Sequence, residues 1–195
     1  MEATATQPLT FDDLLASEPE LRKLRMISAD RLRRKLGRQK GECTWCGGGV
    51  PKGRRTWCSD KCVTEYNYHC VPGVQKAAVT RRDKGICQLC GIDTVAAYQA
   101  YREQRHAKSI ELYGEDCIPS AYRWKERYCS IWREWLVRFG FGRGHFSEVD
   151  HIVPVSEGGG LCGLDNLRLI CGRCHAAETK KLAARNGLKR RKGQQ

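Results

Sequence analysis

Twelve cysteines in a chain of 195 residues constrain this fold more than any other feature. Eight of them fall into spaced sets. Cys43, Cys46, Cys58 and Cys62 read C-x2-C-x11-C-x3-C, and Cys87, Cys90, Cys171 and Cys174 form two C-x2-C pairs separated by 80 residues. A C-x2-C turn delivers two thiolates to one ion, and four thiolates in a tetrahedron make a closed, structural zinc site. Such a site contributes on the order of 10–16 kcal/mol to folding, comparable to the whole net stability of a small domain. A chain of this length suits one or two small domains, and with 20 glycines its apolar core needs that help. Spacing alone leaves open whether the Cys87–Cys90 pair shares its ion with the Cys171–Cys174 pair.

A disulfide framework is the competing use of so many cysteines. The first twenty residues carry several acids and no apolar run, so no secretory signal is visible. Metal binding in a reducing, intracellular compartment is therefore expected, in the cytoplasm, nucleoid or nucleus. No stretch approaches the roughly 20 apolar residues of a membrane span. Cys70, Cys117, Cys129 and Cys162 are left over and read as buried or incidental thiols. His69, beside Cys70, is a secondary candidate ligand for the first set.

The net charge of +13 is unevenly spread. Residues 22–40 hold nine Lys and Arg against one acid, and seven basic residues follow Glu178, with no acid after it. Such ends suit a polyanion rather than a small-molecule substrate. Arg33, Arg34, Lys35, Lys180, Lys181 and Arg185 are the candidate nucleic-acid contacts, though a solvated face would carry the same charges.

Thr10, Asp12 and Asp13 suit a helix start. Leu21, Leu24 and Ile27, then Leu32 and Leu36, recur at helical spacing, which predicts two short helices broken near Pro19 and Ser28. Their apolar stripe is expected to pack. Two more helices are predicted over "TVAAYQAYREQRHAKSIELYG" and "SAYRWKERYCSIWREWLVRFG". The latter puts Trp124, Tyr128, Ile131, Trp132, Trp135 and Phe139 on one face, expected to be core. "EVDHIVPV" (148–155) predicts a half-buried strand carrying Val149, Ile152 and Val153. A glycine loop, a second strand "LRLI" and a helix from "CGRCH" follow. The organisation expected is a basic helical segment 1–40, a small four-Cys zinc module 41–72, a domain 73–185 with a helical insertion 92–140, and a basic tail 186–195.

Neither Asp150 nor His151 is needed to build a strand. Asn166 follows in "GLDNLRLI", and His175 directly after Cys174. A hairpin followed by a helix can place one metal between an acid on the first strand and an imidazole at the helix start, leaving the neighbouring imidazole to face water. A zinc knuckle that pins the helix beside the hairpin would hold these groups tightly enough for catalysis.

The stretch "VDHIVPVSEGGG…LDNLRLICGRCHAAETKK" resembles the HNH endonuclease family, of the type braced by a four-Cys zinc. With "TWCSDKCVTEY" and "GICQLCGID" ahead of it, the order of motifs over roughly residues 43–185 is similar to the HNH domains of animal annealing helicases. With no helicase motor in the sequence, a stand-alone bacterial or phage member is expected. The resemblance implies an α+β fold: a ββα-metal core braced by a four-Cys zinc, with the helical insertion and the N-terminal zinc module added.

It also implies hydrolysis of DNA phosphodiester bonds. His151 is then the general base, Asp150 and His175 hold one divalent ion (Mg²⁺ or Mn²⁺) and Asn166 orients His151 or braces its loop. The base must be neutral, so activity is expected to fall in acid. This chain reads "CHAAETKK" where many members read Cys-His-x-x-Lys-Thr, so no particular lysine is given a catalytic role. His145 is a lesser candidate for touching a phosphate or the ion's waters. The alternatives are a non-catalytic, zinc-dependent nucleic-acid-binding module, or a toxin or regulator docked through its basic N-terminal helices.

Overall fold

The computed structural model describes residues 8–113 and 146–192. The aromatic-rich stretch 120–140, His145, Cys117 and Cys129 lie outside the described residues. Apart from two three-residue 3-10 turns between the strands (Val155–Glu157 and Leu164–Asn166), the order of elements is α1 (Phe11–Ser17), a 3-10 helix (Pro19–Lys23), α2 (Ala29–Lys35), α3 (Asp60–Cys70), α4 (Pro72–Arg82), α5 (Thr94–Tyr113), β1 (Ser147–His151), β2 (Leu167–Cys171) and α6 (Gly172–Lys192). This is the expected α+β arrangement, with a β-hairpin, a C-terminal helix and a helical N-terminal region. Among the described residues no helix is long and apolar enough to cross a membrane.

Local chemistry explains the helix starts. Thr10 Oγ1 accepts from the Asp13 N–H at 3.1 Å while Asp13 accepts from the Thr10 N–H at 3.0 Å, a reciprocal cap on α1. Ser28 caps α2 through the Arg31 N–H. Pro19 opens the 3-10 helix, which stops at Lys23 because Leu24 is extended. The spacing of Leu21, Leu24 and Ile27 therefore does not mark one continuous helix, although all three side chains still pack inward.

The two C-x2-C-G knuckles repeat one another. The Cys43 N–H donates to Gly48 O at 2.7 Å, and the Cys87 N–H to Ile92 O at 2.8 Å. Gly47 and Gly91 donate back to Cys43 O and Cys87 O, and each has a positive φ, 77° and 74°. That conformation is the reason a glycine follows each second cysteine. Val50 to Gly41 and Thr94 to Gly85 close the two turns in the same way.

The chain divides into two compact units, Met1–Val79 with His151–Arg168, and Thr80–Asp150 with Leu169–Gln195. β1 and β2 pair as one two-stranded sheet, so both boundaries at the hairpin fall inside strands. In the first unit Phe11, Leu14, Leu15, Leu21, Ile27, Leu32, Leu36 and Cys70 form one buried cluster, and Leu161 from the hairpin loop belongs to it. Arg38 is buried there too, with Nη2 donating to Leu9 O at 2.6 Å and Trp45 O at 3.3 Å. Among the described residues of the second unit there are two smaller clusters. Cys87, Ile170 and Cys171 form one small cluster, and Tyr101 with Phe146 another.

Candidate active site and zinc sites

Each set of four cysteines converges. In both, the ligating sulfur atoms all lie within 4.8 Å of one another, and Cys87 and Cys90 share their group with Cys171 and Cys174. The pairing left open by spacing is thereby closed. Sγ–Sγ separations are 3.5 Å for Cys46–Cys58 and Cys58–Cys62, and 3.7 Å for Cys90–Cys171. Four sulfurs about 2.3 Å from a central zinc would stand about 3.8 Å apart, whereas a disulfide would bring two to about 2 Å. Both sets fit zinc.

Burial works to raise the thiols of Cys43 and Cys87, but other groups win. The backbone N–H groups of Cys46, Cys58 and Trp45 bring Cys43 down to about 7, and those of Cys171, Leu89 and Cys90 bring Cys87 down to about 7. Cys62 is pushed up to about 12, chiefly by burial, and Cys174 is raised for the same reason.

Other cysteines and His69 have different surroundings. Cys70 is fully buried in the apolar cluster, which pushes its thiol up to about 12. His69 is not a ligand of the first set. Its Nδ1 donates to Glu65 O at 2.8 Å, and its ring packs against Phe11 and Trp45 at 5.5 and 5.2 Å.

The second set joins the hairpin to its helix. Cys171 ends β2 and Cys174 lies in the first turn of α6, with its N–H directed at Cys171 Sγ at 3.5 Å. His175 is therefore the residue after a ligand on a pinned helix start. Asp83 anchors β2 within the same unit: its carboxylate accepts from the Leu169 N–H at 2.9 Å, and the Leu169 carbonyl accepts from the Gln88 N–H at 2.9 Å. Arg82 Nε and Nη2 donate to the same carboxylate at 2.7 and 3.0 Å and, with the Leu169 N–H, hold its pKa below the ordinary carboxylate value.

Asp150 and His151 are the last two residues of β1, both partly exposed. The strand stops there. Ile152 and Val153 are 50% and 46% exposed rather than half-buried strand residues, because the chain turns toward Pro154 and the Asn166 side chain takes the place of a strand partner. Asn166 Oδ1 accepts from the Val153 N–H at 2.8 Å, and Nδ2 donates to Val153 O at 3.2 Å and Gly159 O at 2.9 Å. Its backbone carbonyl accepts from the Ile152 N–H at 2.8 Å. The side-chain oxygen, side-chain nitrogen and backbone carbonyl of Asn166 thus converge on the loop that leaves His151. Asp150 and His175 lie in the second unit, His151 and Asn166 in the first.

The basic candidates differ in their surroundings. Arg33 donates to the carbonyls of Glu42, at 3.2 Å, and Gln39, and Lys35 pairs with Glu18. Arg34 is exposed. On α6, Lys180 and Arg185 are exposed, and Lys181 pairs with Glu178 at 2.7 Å. Sequence reasoning missed Gln75, Asp83, Gly160 and Leu161. Each sits in a turn, loop or helix whose local pattern carries no mark of burial.

A β-hairpin running into a helix, with a four-cysteine metal set at the junction, defines a zinc-braced ββα domain. The HNH endonuclease family model matches residues 139–181. The mouse DNA annealing helicase and endonuclease ZRANB3 is 34% identical over 140 residues, 69% of this chain and 12% of that protein. The human protein is 30% identical over 135 residues, with the same shares. The chain thus spans about an eighth of the length of these curated relatives. The crystal structure of the human ZRANB3 HNH domain is 31% identical, with 62% of this chain and 96% of that chain covered and a TM-score of 0.39. The chain carries an HNH endonuclease domain related to that of ZRANB3.

Proposed function

We propose that this protein is a metal-dependent DNA endonuclease that cuts one strand per active site. The observation that carries this reading is the grip of Asn166 on the loop directly after His151, since a base must be held in place to be useful. His151 takes the proton from a water whose oxygen attacks the scissile phosphorus. The P–O3′ bond breaks, and the products are a 5′-phosphate and a 3′-hydroxyl. Asp150 and His175 would hold a divalent ion, since a carboxylate and an imidazole are a donor set that suits one. An ion held there, Mg²⁺ or Mn²⁺, would supply charge stabilisation at the phosphate and the leaving oxygen.

Both four-Cys sets hold structural zinc in this reading, which needs reduced thiols and hence an intracellular compartment. The exposed cations Arg34, Lys180, Lys181 and Arg185 follow the phosphate backbone. The test is supercoiled plasmid with zinc-loaded protein in Mg²⁺ or Mn²⁺, beside His151→Ala. Nicking by the wild type and none by the folded variant is expected. Binding without cutting by both, on branched and single-stranded DNA as well, turns the protein into a zinc-dependent nucleic-acid-binding module.

A further inference from the structure

The loop between β1 and β2 is gripped, within the first unit, by the N-terminal part of the chain at three consecutive residues. The Gly160 N–H donates to Arg22 O at 2.6 Å. Leu161 is 2% exposed in the cluster built by α1, the 3-10 helix and α2, and it takes a left-handed φ of 45° to get there. A non-glycine residue holds such a conformation only where its surroundings impose it. The Cys162 carbonyl accepts at 2.9 Å from Nε2 of Gln75, a buried side chain on α4 whose Nε2 also donates to Tyr68 O.

The contact is as close as backbone allows. A Cβ at Gly160 would lie 2.1 Å from Leu24 O and 2.6 Å from Arg22 O. Gly159 passes the grip onward. Its carbonyl accepts from Asn166 Nδ2, and a Cβ there would lie 1.8 Å from Val153 O. Asn166 in turn holds the N–H groups of Ile152 and Val153, the two residues after His151.

We infer that residues 19–36 and Gln75 form a positioning clamp, which sets His151 through the chain of contacts from residues 160–162 to Gly159, Asn166 and Val153. This rests on the endonuclease reading and deepens it. The N-terminal segment then positions the base, whatever contact Arg34 also makes with the phosphate backbone. A DNA-binding arm would act on KM, whereas a clamp acts on kcat, because displacing a base by about 1 Å can cost about a hundredfold in rate.

The experiment uses the full, zinc-loaded chain as wild type, Gly160→Ala and Gln75→Ala. Two quantities are read: kcat and KM for plasmid nicking, and amide hydrogen exchange at Ile152 and Val153. The clamp predicts a loss of kcat of at least about tenfold with KM within about twofold, and faster exchange at both amides, in both variants. Wild-type kcat and wild-type exchange in folded variants overturn it, as does a rise in KM alone. If Gly160→Ala does not fold, Gln75→Ala decides, since it removes two hydrogen bonds without adding volume. If the wild type cuts nothing, the endonuclease reading fails, and exchange at Ile152 and Val153 still decides whether the clamp exists.

Discussion

The side-chain amide of Asn166 makes with Val153 the pair of hydrogen bonds that a neighbouring strand would make: Oδ1 accepts from the Val153 N–H at 2.8 Å and Nδ2 donates to its carbonyl at 3.2 Å. Asn166→Ala removes both, together with the bond to Gly159 O. Asn166→Asp keeps an acceptor for the N–H but sets a carboxylate against two carbonyl oxygens. Both variants are expected to keep their zinc and to lose at least about tenfold in nicking rate, with Asp no better than Ala. Equal nicking by Asn166→Asp and wild type would sink the bracing role.

Asp83 sets a pH-dependent part of the second unit's stability. Its side chain is 7% exposed, and its folded pKa is depressed by Arg82 and the Leu169 N–H. A depressed folded value means the stabilisation is fully present above the unfolded carboxylate range and is lost only as pH falls through the folded value. Asp83→Asn is expected to cost ~1–3 kcal/mol at neutral pH, the scale of a buried charged hydrogen bond. The difference in melting temperature between wild type and variant should stay flat from about pH 8 to pH 5.5 and shrink only in stronger acid. Comparing the two proteins cancels the zinc-site protonation common to both. A difference that varies within that window contradicts the assignment.

The two zinc sites should be separable. Cys58→Ser removes a ligand from the first set, and Cys171→Ser one from the second. Each variant should bind one zinc per chain where the wild type binds two, measured by elemental analysis. Only Cys171→Ser should release the helix start that carries His175, so it should abolish nicking even where the other site stays loaded. Loss of both zincs from either single variant would show that the two sets fold as one.

Much of this was readable in the chain because a metal knuckle is a local device. The spacing of Cys43, Cys46, Cys58 and Cys62 lies within one short stretch, and so does the step from Cys171 to His175. Spacing could suggest but not prove that Cys90 and Cys171 share one site, because only tertiary structure closes a gap of 80 residues. Gly160 and Leu161 sit in "GGGLCG", which reads as a flexible loop. That Leu161 turns left-handed to enter an apolar cluster depends on residues more than a hundred positions away. Ile152 and Val153 looked like strand residues because their pattern alternates. The side chain of Asn166 stands where the partner strand would be, and periodicity cannot report that.

Charge counts alone cannot sort phosphate contacts from structural cations, but hydrogen-bond partners can. Arg33 donates to the carbonyls of Glu42 and Gln39, so Arg33→Ala should lower the melting temperature and leave the salt dependence of DNA binding nearly unchanged. Lys180 is exposed on α6, and Arg34 is exposed at the end of α2. A lysine or arginine that neutralises one phosphate releases about one counterion, so its removal lowers the slope of log K against log salt by about 0.9. Lys180→Ala and Arg34→Ala are each expected to show that loss, with melting temperatures unchanged. Lys181 should show less than Lys180, since Glu178 at 2.7 Å already satisfies part of its charge. Binding titrations at four or five salt concentrations decide it. A slope change in Arg33→Ala equal to that in Lys180→Ala would mean that Arg33 leaves its carbonyl partners to meet DNA.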